Sequence, residues 1–143
     1  MRQIVQIAVG LIMTLSTGSA EAGFKGNYAA WKGMEKYGRL MYVQGLLDGF
    51  EGAQTSDVEN WQIAYRKGWS DCGQALNLNA EMIEGAITRH YESYNRDWSI
   101  PPNAVFNRVM GEICFDYVNA ARSKLGLPPW KLQTGAMMDT MQQ

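Results

Sequence analysis

The sequence predicts an all-α fold: a small helical domain with an antiparallel helix pair stapled by one disulfide. Three observations carry this expectation. Met82/Ile83, Ala86/Ile87, Tyr91 and Tyr94 recur at helical spacing. Val105/Phe106, Val109/Met110, Ile113/Cys114, Tyr117/Val118 and Ala121 do the same over about five turns. Cys72 and Cys114 are the only cysteines, and an even pair in an oxidising compartment is most simply one bridge.

The chain opens with what reads as a secretory signal over residues 1–22. Arg2 supplies a minimal positive start, Ile4–Leu15 is a mostly apolar run, and Ala20-Glu21-Ala22 is a cleavage pattern of the A-x-A kind. The apolar run rises about 18 Å as a helix, short of the roughly 30 Å of a hydrocarbon core, so it is read as a cleaved signal rather than an anchor. The mature chain then starts near Gly23 and carries no later apolar run long enough to span a membrane.

Residues 23–36 hold Phe24, Tyr28 and Trp31 among glycines and read as a partly ordered lead-in. The helical domain proper is expected over 37–126. Its first helix runs from about Glu35 to Phe50 on Tyr37, Leu40, Met41, Leu47 and Phe50. Gly45 and Gly49, four apart, either admit a close neighbouring helix or merely soften this one by about 1 kcal/mol each; the two readings stand equal. Ser56 or Asp57 could cap a short helix to about Lys67, carrying Val58, Trp61, Ala64 and Tyr65. Gly68–Gly73 then brings the chain to Cys72.

Asn79 is placed to cap the next helix, with Glu81 favourable in its first turn. Residues 95–101 form the connection. Pro101 and Pro102 sit where a helix start tolerates them, and Gly126 followed by Pro128-Pro129 ends the long helix. A Cys72–Cys114 bridge closes a loop of about 43 residues, worth about 4 kcal/mol on the chain-entropy model. It is expected to tie the start of the Asn79 helix to the middle of the Pro102 helix. Arg108, Glu112, Asp116, Arg122 and Lys124 fall off the apolar stripe, as a solvated face would. The tail over 127–143, with Met137, Met138 and Met141, reads equally as a docking helix or a frayed end.

A net charge of −1 gives no basic field for a phosphate backbone, so nucleic acid is not an expected partner. With a single histidine, His90, and two cysteines, no four-ligand zinc site is expected unless carboxylates complete it, and no metal ligand is assigned. His90 borders the apolar stripe and reads as a buried, hydrogen-bonded histidine rather than a base. Neither G-x-S-x-G nor H-E-x-x-H occurs, and the glycines form neither G-x-G-x-x-G nor a P-loop. Glu112 and Asp116, at i and i+4, read as surface carboxylates. The expectation is a protein with no catalytic residues and no cofactor. Trp and Tyr are typical interface anchors, and loops carry function. Trp31 and Trp69 read as core; Trp98, just before Ile100-Pro101-Pro102, reads either as core cover or as an exposed interface residue.

The stretch Tyr37–Phe50, YGRLMYVQGLLDGF, resembles the first core helix of the Rap/Tai family, secreted immunity proteins against type VI amidase effectors. An aromatic-glycine helix ends in an acidic-glycine step, here Tyr42, Gly45, Asp48 and Gly49. Cys72, the helix bearing Tyr91, the turn at Pro101-Pro102 and Cys114 follow in the family's order, so the resemblance covers about 37–118. Two features depart from it: no further cysteine precedes the first helix, and the chain after Cys114 is longer.

The resemblance implies a small periplasmic helical protein that binds a protein partner. Members block a cell-wall amidase by plugging its cleft, often as homodimers. The location of the plug carries over to two segments, the insertion near 52–71 and the turn near 95–102. Trp61, Tyr65, Asp97 and Trp98 are the partner-binding candidates, set among exposed-type polar residues that suit a protruding wedge. The rival reading is a periplasmic stress protein or holdase chaperone with one disulfide, which would bare apolar surface on acidification.

Overall fold

In a computed structural model, residues 25–52 and 59–140 are described, 51 and 52 by backbone alone. The expected signal over 1–22 and the expected cap at Ser56 or Asp57 lie outside the described residues. Every regular element among the described residues is helical.

The chain enters through α1 (Tyr28–Lys32), capped by Asn27, whose side-chain oxygen accepts from the Ala30 N–H at 2.9 Å. This short helix belongs to the core rather than to a loose lead-in, because Trp31 is fully buried. Its indole N–H donates to Thr88 Oγ1 (3.1 Å), and that hydroxyl donates to Glu84 Oε1 (3.3 Å). α2 (Lys36–Gly52) occupies nearly the range the sequence predicts. From it, Arg39 donates to Glu84 Oε1 at 2.5 Å and to the Met34 carbonyl at 2.6 Å, with its guanidinium 5.9 Å from the Trp31 ring centre. Glu84 is buried, and these donors are the reason it is tolerated there. One buried carboxylate thus gathers α1, α2 and α4.

α3 (Asn60–Leu76) is longer than expected. It starts behind Glu59, whose N–H donates to the Gln62 side-chain oxygen at 3.0 Å, and it runs unbroken through Gly68. It stops at Asn77, whose left-handed backbone (φ 49°) asparagine tolerates better than most residues. α4 (Ala80–Ser93) begins as read from sequence: Asn79 Oδ1 accepts from the N–H groups of Glu81 (3.1 Å) and Met82 (3.0 Å). It buries Ile83, Ile87 and Tyr91 completely. Each of the isoleucines contributes about 1.5–3 kcal/mol of transfer free energy. A 3₁₀ turn (Asn95–Ser99) and Pro101 lead into α5 (Pro102–Ile113).

The long helix expected from Pro102 to the stop at Gly126 is two helices. α5 ends at Cys114, and α6 (Phe115–Lys124) follows at once. The break coincides with the cysteine that the bridge draws towards α3. Gly126 (φ 67°) closes α6 as predicted, and α7 (Met137–Thr140) ends the described chain.

The Cys72–Cys114 disulfide is present, with the two Cα atoms 5.5 Å apart and both residues fully buried. It does not staple the α4–α5 pair. Cys72 lies in α3, so the bridge ties α3 to the α5–α6 junction. Four residues back along α3, Gly68 abuts Val118, four residues forward along the chain from Cys114. The stapled pair is therefore antiparallel, but it is α3 with α6, the most extensive helix contact among the described residues. Of the two readings left equal at Gly45 and Gly49, the close approach does not occur there; it occurs at Gly68. A Cβ there would lie 2.5 Å from Val118 Cα, whereas at Gly45 or Gly49 it would meet nothing within 4 Å.

Helix propensity alone would make alanine better at all three glycines, by about 1 kcal/mol each. Packing reverses the sign at Gly68: Gly68→Ala is expected to destabilise by at least about 1–3 kcal/mol through overpacking. Gly45→Ala is expected to stabilise by about 0.5–1 kcal/mol. Urea unfolding of the two variants, oxidised, checks both signs.

Candidate functional site

The turn Asn95–Ser99 is built from beneath. Tyr91, fully buried on α4, donates its hydroxyl to the Ile100 carbonyl at 2.7 Å and so fixes the far end of the turn. Burial pushes the Tyr91 hydroxyl well above the usual tyrosine range, so it stays a donor. The Trp98 indole N–H donates to the Tyr91 carbonyl at 2.9 Å. The Tyr28 ring stacks on Tyr91 at 4.9 Å and leans on Trp98 at 5.3 Å. Trp98 is nevertheless 51% exposed. It is a large ring standing in solvent on a rigid base.

Asp97, beside it, points the other way. The sequence placed it among exposed polar residues, but it is 0% exposed. Extended on a loop it would be a surface residue; here three donors draw it inward. His90 Nε2 lies 2.8 Å from Oδ2, the Met137 N–H donates to Oδ2 at 2.7 Å, and the Met138 N–H donates to Oδ1 at 3.0 Å. Burial pushes the Asp97 carboxyl up, but the two backbone donors and then the His90 imidazole outweigh it, and the net shift is down. Asp97 is thus the cap of α7 and the pin of the tail. Arg96 and Asp139 form a second, exposed link between the turn and α7. His90 is buried and hydrogen-bonded, as its place on the stripe predicts. The His90–Asp97 pair is enclosed on all sides and holds the fold together at this corner.

Trp61 and Tyr65 occupy a different region, on α3. Trp61 is 49% exposed, its indole N–H bonded to the Glu59 carboxylate. Tyr65 is half-buried in an aromatic cluster, with ring centres 4.6 Å from Trp69, 5.6 Å from Trp130 and 6.0 Å from Phe50. Burial pushes its hydroxyl up to about 12. No hydrogen bond or ring contact joins Trp61 or Tyr65 to Asp97 or Trp98, so the four candidates do not form one patch.

What links the two regions is the tail, whose residues the sequence left unassigned. Trp130 donates its N–H to Asn119 Oδ1 (2.6 Å), and the Asn119 amide donates back to the Trp130 carbonyl (3.2 Å). The Trp130 ring lies over Gly111, where a Cβ would come within 2.9 Å of it. Arg122 Nε holds the Pro128 carbonyl at 2.7 Å. Arg108, expected on a solvated face, is buried: it bonds Glu112 at 2.6 Å and donates to Gln133 Oε1 and the Gly135 carbonyl at 3.2 Å each. The tail covers it. The tail is therefore docked from Trp130 to α7. Polar residues beside an apolar stripe give no sign in sequence that they will clasp a distant segment.

Among the described residues, no group of three or more His, Cys, Asp or Glu side chains could hold a metal ion, and no helix is long and apolar enough to cross a membrane. No family model, no curated protein and no solved structure matches the chain.

Asp97→Asn keeps the side chain's size but turns an amide N–H₂ towards groups that also donate. It is expected to cost about 1–3 kcal/mol and to free α7. Hydrogen exchange at Met137 and Met138 should rise well above that at the core of α4. The sign with pH follows from the lowered carboxyl. Its contribution is complete above the usual carboxylate range and is lost as pH falls through its depressed folded value. The wild-type melting temperature should fall on strong acidification more than that of Asp97→Asn.

Proposed function

We propose that this is a secreted helical binding protein that engages a protein partner through Trp98 on the Asn95–Ser99 turn. The observation that supports this reading is the combination of exposure and fixation at Trp98. Its ring is half in solvent, yet its N–H, its packing against Tyr28 and the buried Asp97 next to it hold it in one orientation. Binding hot spots are typically large aromatic residues, and an anchor already ordered in the free protein loses little entropy on binding. Trp61 is equally exposed, but among the described residues its side chain bonds only Glu59, two residues away, and it ranks second.

The partner class follows from the Rap/Tai resemblance of 37–118. The reading is an immunity-type inhibitor that blocks the cleft of a peptidoglycan amidase in the periplasm, with the Asn95–Ser99 turn as the wedge. Affinity would come from surface complementarity rather than from a chemical step. Asp97 acts within that wedge as a positioning residue, not as a contact. The docked tail supports the wedge from below, through α7.

The oxidised protein, used as bait in periplasmic and secreted fractions, is expected to retain one stoichiometric cell-wall hydrolase. Trp98→Ala should weaken that complex by about 2 kcal/mol or more, roughly 30-fold, while leaving the helical signal unchanged. Recovery of many unrelated proteins enriched at low pH would instead support the holdase reading. The route to that compartment has its own check: intact mass of the protein from a periplasmic fraction is expected to correspond to a chain beginning at Gly23. A mass that includes residues 1–22 would overturn the cleaved-signal reading.

A further inference from the structure

On the side of the molecule formed by α2, α3 and the start of α4 lies an open groove of about 1070 Å³. Leu47 and Phe50 of α2, Ile63 and Trp69 of α3, and Ile83 and Met110 beneath line it with apolar surface. Ile63 at its lip is 44% exposed, so apolar surface continues out to solvent. That volume lies just above the roughly 300–1,000 Å³ typical of small-molecule sites.

The rim carries three charged side chains: Asp48, Arg66 and Lys67. Two of them are engaged. Lys67 pairs with Asp71 one turn along its own helix, at 2.7 Å, and Asp48 accepts from Gln44 at 2.8 Å. Arg66 has no hydrogen bond or ion pair with any described residue. In the wall, Trp69 is buried and stacked on Phe50 at 4.3 Å, and its indole N–H has no acceptor among the described residues. An apolar floor and, at the rim, a guanidinium with no partner among the described residues are complementary to one kind of molecule.

We infer that this groove binds an amphipathic anion: an apolar chain lying along Phe50, Trp69 and Met110, headed by a carboxylate or phosphate held at Arg66. A guanidinium presents a planar pair of donors that matches such a head in a bidentate fashion. The apolar lining supplies affinity for the chain, and Arg66 selects the charge. No residue that lines the groove holds the Trp98 turn, so this site and the proposed partner surface stand or fall separately.

Titration of the oxidised protein with dodecanoate, below its micelle concentration, tests the inference. Saturable binding is expected, with dodecanol and dodecyltrimethylammonium at least ten-fold weaker. Two variants locate the site. Gly73 lines the groove, and a Cβ there meets nothing within 4 Å, so Gly73→Leu fills the groove while placing a stronger helix former in α3. It should abolish binding of all three probes without lowering the melting temperature. Arg66→Gln should bring dodecanoate down to the level of dodecanol. Co-sedimentation with phosphatidylglycerol vesicles that Gly73→Leu abolishes would support the inference with a lipid as the source of the anion. Dodecanoate binding without co-sedimentation would support it with a free acid. Absence of saturable dodecanoate binding, equal binding of the cationic probe, or binding unchanged in Gly73→Leu would overturn it.

Discussion

The contact between α3 and α6 is the constraint on which the rest of this structure depends. It is fixed at two points one helical turn apart, by a covalent bond at Cys72–Cys114 and by the absence of a side chain at Gly68 opposite Val118. The bond limits how far the unfolded chain can spread, about 4 kcal/mol in the chain-entropy picture. The glycine limits how close the two backbones can come. With both set, the position of α3 along α6 has no freedom left. Trp69 is then pressed against Phe50 on one side and Phe106 on the other, at 4.3 and 5.6 Å. Tyr65 in turn meets Trp130, so the seam also decides where the tail can dock.

Two buried carboxylates organise what the seam leaves open, and both do so against α4. Glu84 gathers α1 and α2 onto α4 through Thr88 and Arg39. Asp97 gathers the turn, α4 and α7 through His90 and two backbone N–H groups. Each is costly to bury alone, and each is satisfied by donors from elements distant in sequence. Such groups add little net stability when fully paired, but they penalise any arrangement that leaves them unpaired. In a chain this short, with an apolar core shared among small helices, they select one packing of those helices. The Trp98 orientation is a by-product of the second selection.

The periodic parts of this fold were the legible parts. The α4 stripe, the Asn79 cap, the proline start of α5 and the glycine end of α6 are local signals, and each holds in three dimensions. The helix pair joined by the disulfide was not legible. Cysteine spacing says that a bridge exists but not which faces it joins, and reading Gly68 as a break hid the second half of α3. A glycine is a helix breaker or a contact point depending on what lies opposite it, and Val118 is fifty residues away in sequence. The site was half legible for the same reason. Trp98 stands out from composition and loop position alone. Asp97 next to it could not be separated from a surface residue, because its partners at Met137 and Met138 belong to a tail with no period of its own.

The difference between Trp61 and Trp98 bears on how such a surface works. Exposure is nearly the same for both, so exposed area gives no reason to prefer either. Support differs. Trp61 leans on its own helix start, and the carboxylate it binds is an exposed side chain of that same start. Trp98 is held by a main-chain carbonyl of a fully buried tyrosine, by a ring from α1, and by a turn that α7 pins from below. A ligand that closes on Trp61 must order it; one that closes on Trp98 finds it ordered. Ordering a rotamer-rich side chain costs about 0.5–1.5 kcal/mol, which is a two- to twelve-fold difference in affinity from support alone. The tail beyond Leu127 is what supplies that last support. Without Met137 and Met138 the Asp97 carboxylate would lose two of its three donors, and the turn that carries Trp98 would lose its base.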